Sequence, residues 1–215
     1  MLGTSAFAQV KSISLGRDFS KVRVSNGLFV EIVSNSEENI VDIKGAERDQ
    51  VNVEIKKNEL QLSLPISQVF SENEIFITVY AKDIRELKVR NGSEVEFNTK
   101  VNQKELRLMA SEGSYIGGDL EVENLDVKSV TGASVSLIGF AKTSDVEVKT
   151  GGSFDGDELI TEITTVSLSF GGEATVFASE NCNASVNAGG KIKVYGSPET
   201  ISQNVKFGGQ INLIE

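Results

Sequence analysis

Seven glycines, Gly92, Gly113, Gly132, Gly151, Gly171, Gly189 and Gly208, recur at steps of 21, 19, 19, 20, 18 and 19 residues. Each stands at a similar point in a short apolar–polar alternation. Leu87 and Val89 precede Gly92 by five and three residues; Leu108 and Ala110, Val146 and Val148, Val166 and Leu168, and Ala184 and Val186 precede Gly113, Gly151, Gly171 and Gly189 in the same way. A second apolar pair follows at three and five residues: Val95 and Phe97, Val135 and Leu137, Ala174 and Val176, Ile192 and Val194, Ile211 and Leu213. At Gly132 the match is imperfect, with Val127 in place but Ser129 at the next position. A period of about 20 residues is what a coiled β-solenoid leaves in a sequence.

A coil this thin cannot bury its own inward side chains. Stacked coils align equivalent strands about 4.8 Å apart, so that seven coils give a prism of roughly 34 Å. The repeated glycine then marks a corner that needs positive φ and where a Cβ would clash. The pairs Gly151-Gly152 and Gly171-Gly172 do not precede a helix, which argues against a phosphate-binding loop.

Residues 9–82 alternate without a sustained 20-residue period and form a β-rich N-terminal region ahead of the repeats at 83–215. Strands are predicted around Val22 and Val24, Leu28 to Val33, Ile40 to Ile43, Val51 to Ile55, Leu60 to Leu64, and Ile75 to Val79. The polar breaks between them read as hairpin turns, Pro65 closes its strand, and Ile66 to Asn73 reads as a loop. Only Ala81 to Leu87 admits a helical spacing, and it is short. Val22, Val24, Gly27, Val30 and Ile32 keep the repeat's offsets, so an extra coil is expected inside this region. No long linker intervenes, which points to one continuous core.

Composition narrows the chemistry. With no His, Ser-His-Asp and Cys-His catalysis and His-containing zinc sites are excluded. The net charge of −10 argues against nucleic acid and anionic lipid as partners. Cys182, the one cysteine, cannot form an internal disulfide and reads as a core filler. No run of 18 apolar residues is present to span a membrane as a helix. Ala6-Phe7-Ala8 followed by Gln9 matches the small-x-small pattern cut by signal peptidase, so residues 1–8 read as the remnant of an export signal; an ordinary frayed N-terminus is the alternative. No Cys follows the cut, and a lipoprotein anchor is not indicated.

The entry Phe19-Ser20-Lys21-Val22-Arg23-Val24-Ser25-Asn26-Gly27-Leu28-Phe29-Val30-Glu31-Ile32, followed by the glycine-centred coils, resembles the head GIN domain family of putative auto-transporter adhesins from Bacteroidetes-type cell envelopes. The resemblance covers roughly residues 14–199. It implies an exported protein, periplasmic, on the outer-membrane surface or extracellular, with β-helix-like stacking. It supplies no functional residue to carry over.

The densest acidic cluster, Asp155-Gly156-Asp157-Glu158, follows Gly151-Gly152. Calcium-binding β-rolls use Gly-Gly-x-Gly-x-Asp, but here Phe154 stands at the third glycine, Gly156 stands at the aspartate, and no other coil repeats the acid. A solvated loop is the expectation. Glu72 and Glu74 merely flank Asn73, and Asn91-Gly92-Ser93 and Asn183-Ala184-Ser185 read as turn and strand residues. Acids and bases are not expected to gather at equivalent positions in adjacent coils, as a polysaccharide-cleaving β-helix would require.

No catalytic, metal or cofactor residue is therefore assigned. Three readings stay open: a non-enzymatic envelope adhesin or binding module whose outer face contacts a surface glycan or protein, a polysaccharide-active enzyme, and a purely structural role. The final coil, ending Ile211-Asn212-Leu213-Ile214-Glu215, is expected to associate end to end with another copy or to fray, while residues 9–82 cover the opposite end. The calcium reading yields a direct test. Calcium in large excess should leave the melting temperature unchanged; a rise abolished by Asp157→Ala would establish a cation site there.

Overall fold

The structure, a computed structural model, describes residues 10–65 and 75–214. Residues 1–8, read above as the remnant of an export signal, Gln9, the segment 66–73 read as a loop, Glu74 and Glu215 lie outside the described residues. The N-terminal region contributes β1 (Val10–Ser14), β2 (Lys21–Ser25), β3 (Phe29–Val33), β4 (Ile40–Lys44), β5 (Asn52–Lys56), β6 (Glu59–Ser63) and β7 (Phe76–Tyr80). Next come β8 (Glu86–Arg90), β9 (Glu94–Phe97), β10 (Val101–Ser111), β11 (Tyr115–Val130), β12 (Ser134–Lys149) and β13 (Ser153–Gly156). The last coils hold β14 (Leu159–Ser169), β15 (Glu173–Phe177), β16 (Asn181–Asn187), β17 (Lys191–Tyr195), β18 (Thr200–Lys206) and β19 (Gln210–Leu213).

These strands stack as two ladders. The first runs β5-β6-β2-β8-β10-β11-β12-β14-β16-β18. The second runs β1-β4-β7-β3-β9-β11-β12-β13-β15-β17-β19. β11 and β12, at 16 residues each, belong to both because the chain passes from one side to the next without a break. The chain is thus a β-solenoid, and its pairing reproduces the glycine steps. In the first ladder Leu87 faces Leu108, Val127 follows Leu108, and Val146, Val166, Ala184 and Gln203 complete the column.

The corner is a two-residue device. Each repeat glycine has φ between +66° and +87°, and the residue before it is also in the left-handed region: Asn91, Glu112, Thr131, Thr150, Phe170, Ala188 and Phe207, at φ of +52° to +63°. A Cβ on any of the seven glycines would meet nothing within 4 Å. The expected clash is absent, and the demand for glycine is purely dihedral. Crowding falls one residue later. At Gly152 a Cβ would lie 2.4 Å from the Ser129 carbonyl oxygen, and at Gly172 it would lie 2.4 Å from that of Gly152.

Asn26-Gly27, at φ +69° and +74°, makes the same corner, and β2 and β3 stack as parallel strands on β8 and β9. This coil lies between β6–β7 and β8–β9, so spatial order departs from chain order. The polar breaks are therefore not all hairpin turns. Lys57-Asn58 closes the antiparallel β5–β6 pair, whereas Asn26-Gly27 hands the chain from one ladder to the other. Ala81 to Leu87 forms no helix: Ala81, Ile84 and Leu87 are buried, and Glu86 and Leu87 already belong to β8.

One apolar core extends from Phe19 to Val194. Its columns balance volume between coils. Gly118 takes the inward position above Phe97, where a Cβ would sit 2.8 Å from that residue's Cβ, and Gly156 yields to the Phe154 ring, 2.6 Å from its Cε1. Ser129, the departure from the apolar pattern, is fully buried, and its Oγ donates to the Ala133 carbonyl (2.9 Å) just beyond the corner. At one end β5 and the antiparallel β4–β1 pair extend the ladders, with Ile13, Val53 and Ile55 packed on the core. At the other, β18 and β19 have a strand neighbour on one side only among the described residues, and Val205 and Leu213 are 47% and 51% exposed.

Because the corner constraint is dihedral, it separates two substitutions of equal exposure. Gly171→Val, at φ +79°, should destabilise the fold by about 1–3 kcal/mol, whereas Gly171→Asn should retain most of the stability. Thermal or urea unfolding would show it; equal stability of the Val variant and the parent would rule out the dihedral account.

Candidate ligand-binding face

Strand alternation and the common corner fix which side chains face outward on the first ladder. The column six residues before each corner glycine is Glu86, Arg107, Asp126, Asp145, Thr165, Asn183 and Ser202. The column four before is Lys88, Met109, Lys128, Glu147, Ser167, Ser185 and Asn204. The face is thus zoned, with charged residues over β8 to β12 and hydroxyls and amides over β14 to β18.

This pairing overturns one sequence expectation. Asp126 and Asp145 are direct partners in adjacent coils, with Arg107 one coil before them. Acids do gather at an equivalent position. Counting back from each glycine exposes the column, but the inward pairs at five and three residues carry the visible periodicity and the outward ones do not.

Cross-strand pairs neutralise most of the charge. Arg107 Nε lies 2.9 Å from Asp126 Oδ2, Lys128 Nζ lies 3.0 Å from Glu147 Oε2, and Lys149 also meets Glu147. Lys21 Nζ is 3.4 Å from Glu86, which also pairs with Lys88. Each such exposed pair contributes at most about 1 kcal/mol. Lys149 and Lys128 hold the Glu147 carboxyl below its ordinary range. For Glu86, partial burial pushes the other way but is outweighed by Lys88 and Lys21. Asp145 has no ion-pair partner among the described residues. Partial desolvation, then repulsion from Asp126 and Glu147, raises its carboxyl despite Lys128.

Beside these columns lies a groove of about 590 Å³. Lys21 and Arg85 line one end, Ile163 and Thr165 the other, and Asp126 and Asp145 the middle. It crosses the strands from β2 to β14, about 24 Å at ordinary interstrand spacing. Thr143 Oγ1 donates to Asn124 Oδ1 (2.8 Å) along its wall. A channel of this length, with ionic, hydroxyl and amide groups in regular columns, can hydrogen-bond an extended polar chain at repeated intervals.

Beneath the groove floor, Ser144 and Thr164 share a hydrogen bond of 2.9 Å, Thr164 Oγ1 donates to the Phe177 carbonyl (3.1 Å), and Thr161 meets both Thr164 and that carbonyl. All three are buried and satisfied, so this network is structural. Cys182, fully buried next to Thr164 in the same column, has its thiol pushed up to about 11 by desolvation. Such a thiol is a poor nucleophile.

The remaining sequence candidates disperse. Asp155 faces outward on β13, and Asp157 and Glu158 form the turn into β14. Among the described residues no group of three His, Cys, Asp or Glu side chains is placed to hold a metal ion. Asn91 is a corner residue and Asn183 an outward residue of β16.

The unpaired Asp145 makes stability depend on pH. Its carboxyl titrates higher folded than unfolded, so the folded state holds that proton more tightly, and ionisation costs stability as pH rises above the ordinary value of 3.8. Asp145→Asn should raise the melting temperature at pH 7, and the gain should vanish below pH 3.8. A gain that persists unchanged in acid would show that charge is not its source.

Comparison with known proteins now has a geometry to rest on. A crystal structure of a putative adhesin from Bacteroides fragilis NCTC 9343 superposes with a TM-score of 0.86 at 20% identity, covering 98% of both chains. A putative adhesin from Parabacteroides merdae ATCC 43184 (TM-score 0.72, 15% identity) and a protein described as a putative lipid binding protein from Parabacteroides distasonis ATCC 8503 (0.72, 14%) also cover 98% of both chains. At these identities the shared property is the fold. No sequence of a curated protein matches the chain significantly. The family model described as putative auto-transporter adhesin, head GIN domain, matches residues 18–198, and the chain belongs to that family.

Proposed function

We propose that this chain is an exported, non-enzymatic binding module of the cell envelope that holds a surface glycan or protein along the outer face of its solenoid. The observation that carries the reading is the groove from Lys21 to Thr165, where the outward column places a charged or hydroxyl side chain at the same position in every coil. A ligand that itself repeats, or an extended segment, can meet such columns several times over. Single contacts of about 1 kcal/mol then add along the groove. The family description as adhesin supports the assignment, and the Ala6-Phe7-Ala8-Gln9 segment supports export. Among the described residues no helix is long and apolar enough to cross a membrane.

Asp126 and Asp145 give the polysaccharide-active alternative a specific basis, since adjacent carboxylates of which one titrates high are what acid–base cleavage of a glycan uses. Binding remains the preferred reading because polar groups line the groove through its length, whereas the directly paired carboxylates, Asp126 and Asp145, occupy only its middle. One experiment separates the two. Immobilised envelope glycans and proteins are screened for retention of the parent chain, and eluted glycans are sized. Retention without shortening, weakened about tenfold or more in an Arg107→Ala, Asp126→Asn variant of unchanged fold, is expected. Glycan shortening lost in Asp126→Asn would establish the enzyme instead.

A further inference from the structure

Two of the seven corners carry a phenylalanine in the left-handed position. Phe170 (φ +59°) and Phe207 (φ +55°) are 67% and 88% exposed, and Ala188 (φ +63°) holds the corner between them. This placement is doubly unfavourable. A bulky side chain resists positive φ, and an exposed ring forgoes the burial that would otherwise offset the strain. Other corners use Asn, Glu or Thr at the same position, so the fold does not require an aromatic residue there. Strain retained on an exposed side chain points to function.

The surroundings of this ridge define what it would hold. On the first-ladder side the adjoining outward residues are Ser169, Asn187 and Lys206; on the second they are Glu173, Lys191 and Gln210. Glu173 is paired with Lys193 at 2.8 Å. Among the described residues Lys206 makes no ion pair, and Lys191, which stands directly across the ladder from Glu173, makes none either. Next to the rings three lysines, Lys191, Lys193 and Lys206, thus face the one carboxylate of Glu173, a local excess of positive charge on a chain of net charge −10.

The geometry points to the Phe170–Ala188–Phe207 corner ridge as a stacking platform for a carboxylate-bearing glycan, with Lys191 and Lys206 as its charge partners. The two rings stand two coils apart, roughly 9.6 Å at ordinary interstrand spacing. That separation suits alternate sugar rings of an extended chain, with the small Ala188 leaving room for the ring between. Apolar sugar faces lie on the aromatic rings, carboxylates meet the ammonium groups, and Ser169, Asn187 and Gln210 reach hydroxyls. A protein partner fits less well, because two separated rings fall far short of the roughly 1,000 Å² of a specific interface. The inference rests on the reading of the solenoid's outer surface as a binding surface, and it assigns that surface a ligand class.

The test uses oligogalacturonate and hyaluronan oligosaccharides as acidic probes, with methyl-esterified oligogalacturonate as the neutral control, by calorimetry at low and high salt. Binding of an acidic probe is expected, with the ester weaker and the affinity falling as salt rises. Phe170→Ala and Phe207→Ala should each weaken it about tenfold, and Lys206→Gln should erase much of the salt dependence. Because Ala188 already occupies this corner, the alanine variants should fold with an unchanged or higher melting temperature. Failure of both acidic probes, or binding indifferent to the two Phe variants, would overturn the assignment. Binding lost instead on Arg107→Ala, Asp126→Asn would place the ligand in the groove, leaving the binding function intact and the ridge refuted. Concentration-dependent light scattering from the parent chain that Phe207→Ala abolishes would make the ridge a contact between two copies and would likewise refute it.

Discussion

Each coil has to turn from one ladder to the other, and it does so through two successive residues with positive φ. That turn is the constraint from which the rest of the structure follows. It costs backbone energy in each coil and is held only because the next coil's corner stacks on it: Gly92 N–H donates to the Glu112 carbonyl (2.9 Å), Gly113 to Thr131 (3.2 Å) and Gly132 to Thr150 (3.2 Å). The corners thus form a ladder of their own. Once they are aligned, every other position is fixed by its distance from the corner. The steps between coils are free to vary from 18 to 21 residues only at a distance from it, where turns such as Asp157-Glu158 take up the difference.

Fixing the columns also fixes what a side chain must fit. An inward residue contacts its equivalents above and below, so its volume is constrained by neighbours about twenty positions away in sequence. Phe97 is tolerated because Gly118 yields to it, and Ser129 because Ala133 offers a carbonyl within reach. The position just after the corner narrows along the stack, from Leu28 through Ser93, Ser114 and Ala133 to Gly152, Gly172 and Gly190. Where serine stands there its hydroxyl is used: Ser93 Oγ accepts from Leu28 N–H (3.2 Å), and Ser114 Oγ donates to the Val89 carbonyl (2.8 Å). At Gly152 and Gly172 the space is taken by a carbonyl oxygen, and at Gly190 by the Leu168 side chain, 2.1 Å from where a Cβ would stand, so a larger residue would have to displace one or the other.

The same reasoning explains what could be read from the sequence. Solenoid, period and coil equivalences were legible because glycine and inward aliphatic residues are both chemically restricted and periodic. The place of β2–β3 in the stack was half legible. Its offsets from Gly27 match a coil, but that it inserts between β6–β7 and β8–β9 depends on pairings made across more than thirty residues. Turn chemistry was ambiguous for a physical reason: the left-handed pair at Lys57-Asn58 returns the chain onto its own ladder, whereas the one at Asn26-Gly27 sends it to the other. The candidate face was hardest to see. Outward positions tolerate almost any polar residue, so Asp126 and Asp145 look unrelated until the corner is used as the origin.

Measured from that origin, the outer surface divides labour along the stack. In the coils from β8 to β12, most acidic and basic residues pair with a neighbour, as at Arg107–Asp126 and Lys128–Glu147, so that attraction is spent within the chain and only Asp145 is left without a partner among the described residues of these columns. In the coils from β14 to β18 the columns turn to Thr165, Ser167, Asn183, Ser185, Ser202 and Asn204, and no ion pair crosses that face among the described residues. Hydroxyls and amides there are satisfied by water and can exchange it for a ligand at little cost, since no internal pair must be broken. A solenoid can vary in this way because its outward columns bear little on folding. The corner and the inward ladders carry stability, which leaves each outward column open to selection for what it touches, coil by coil.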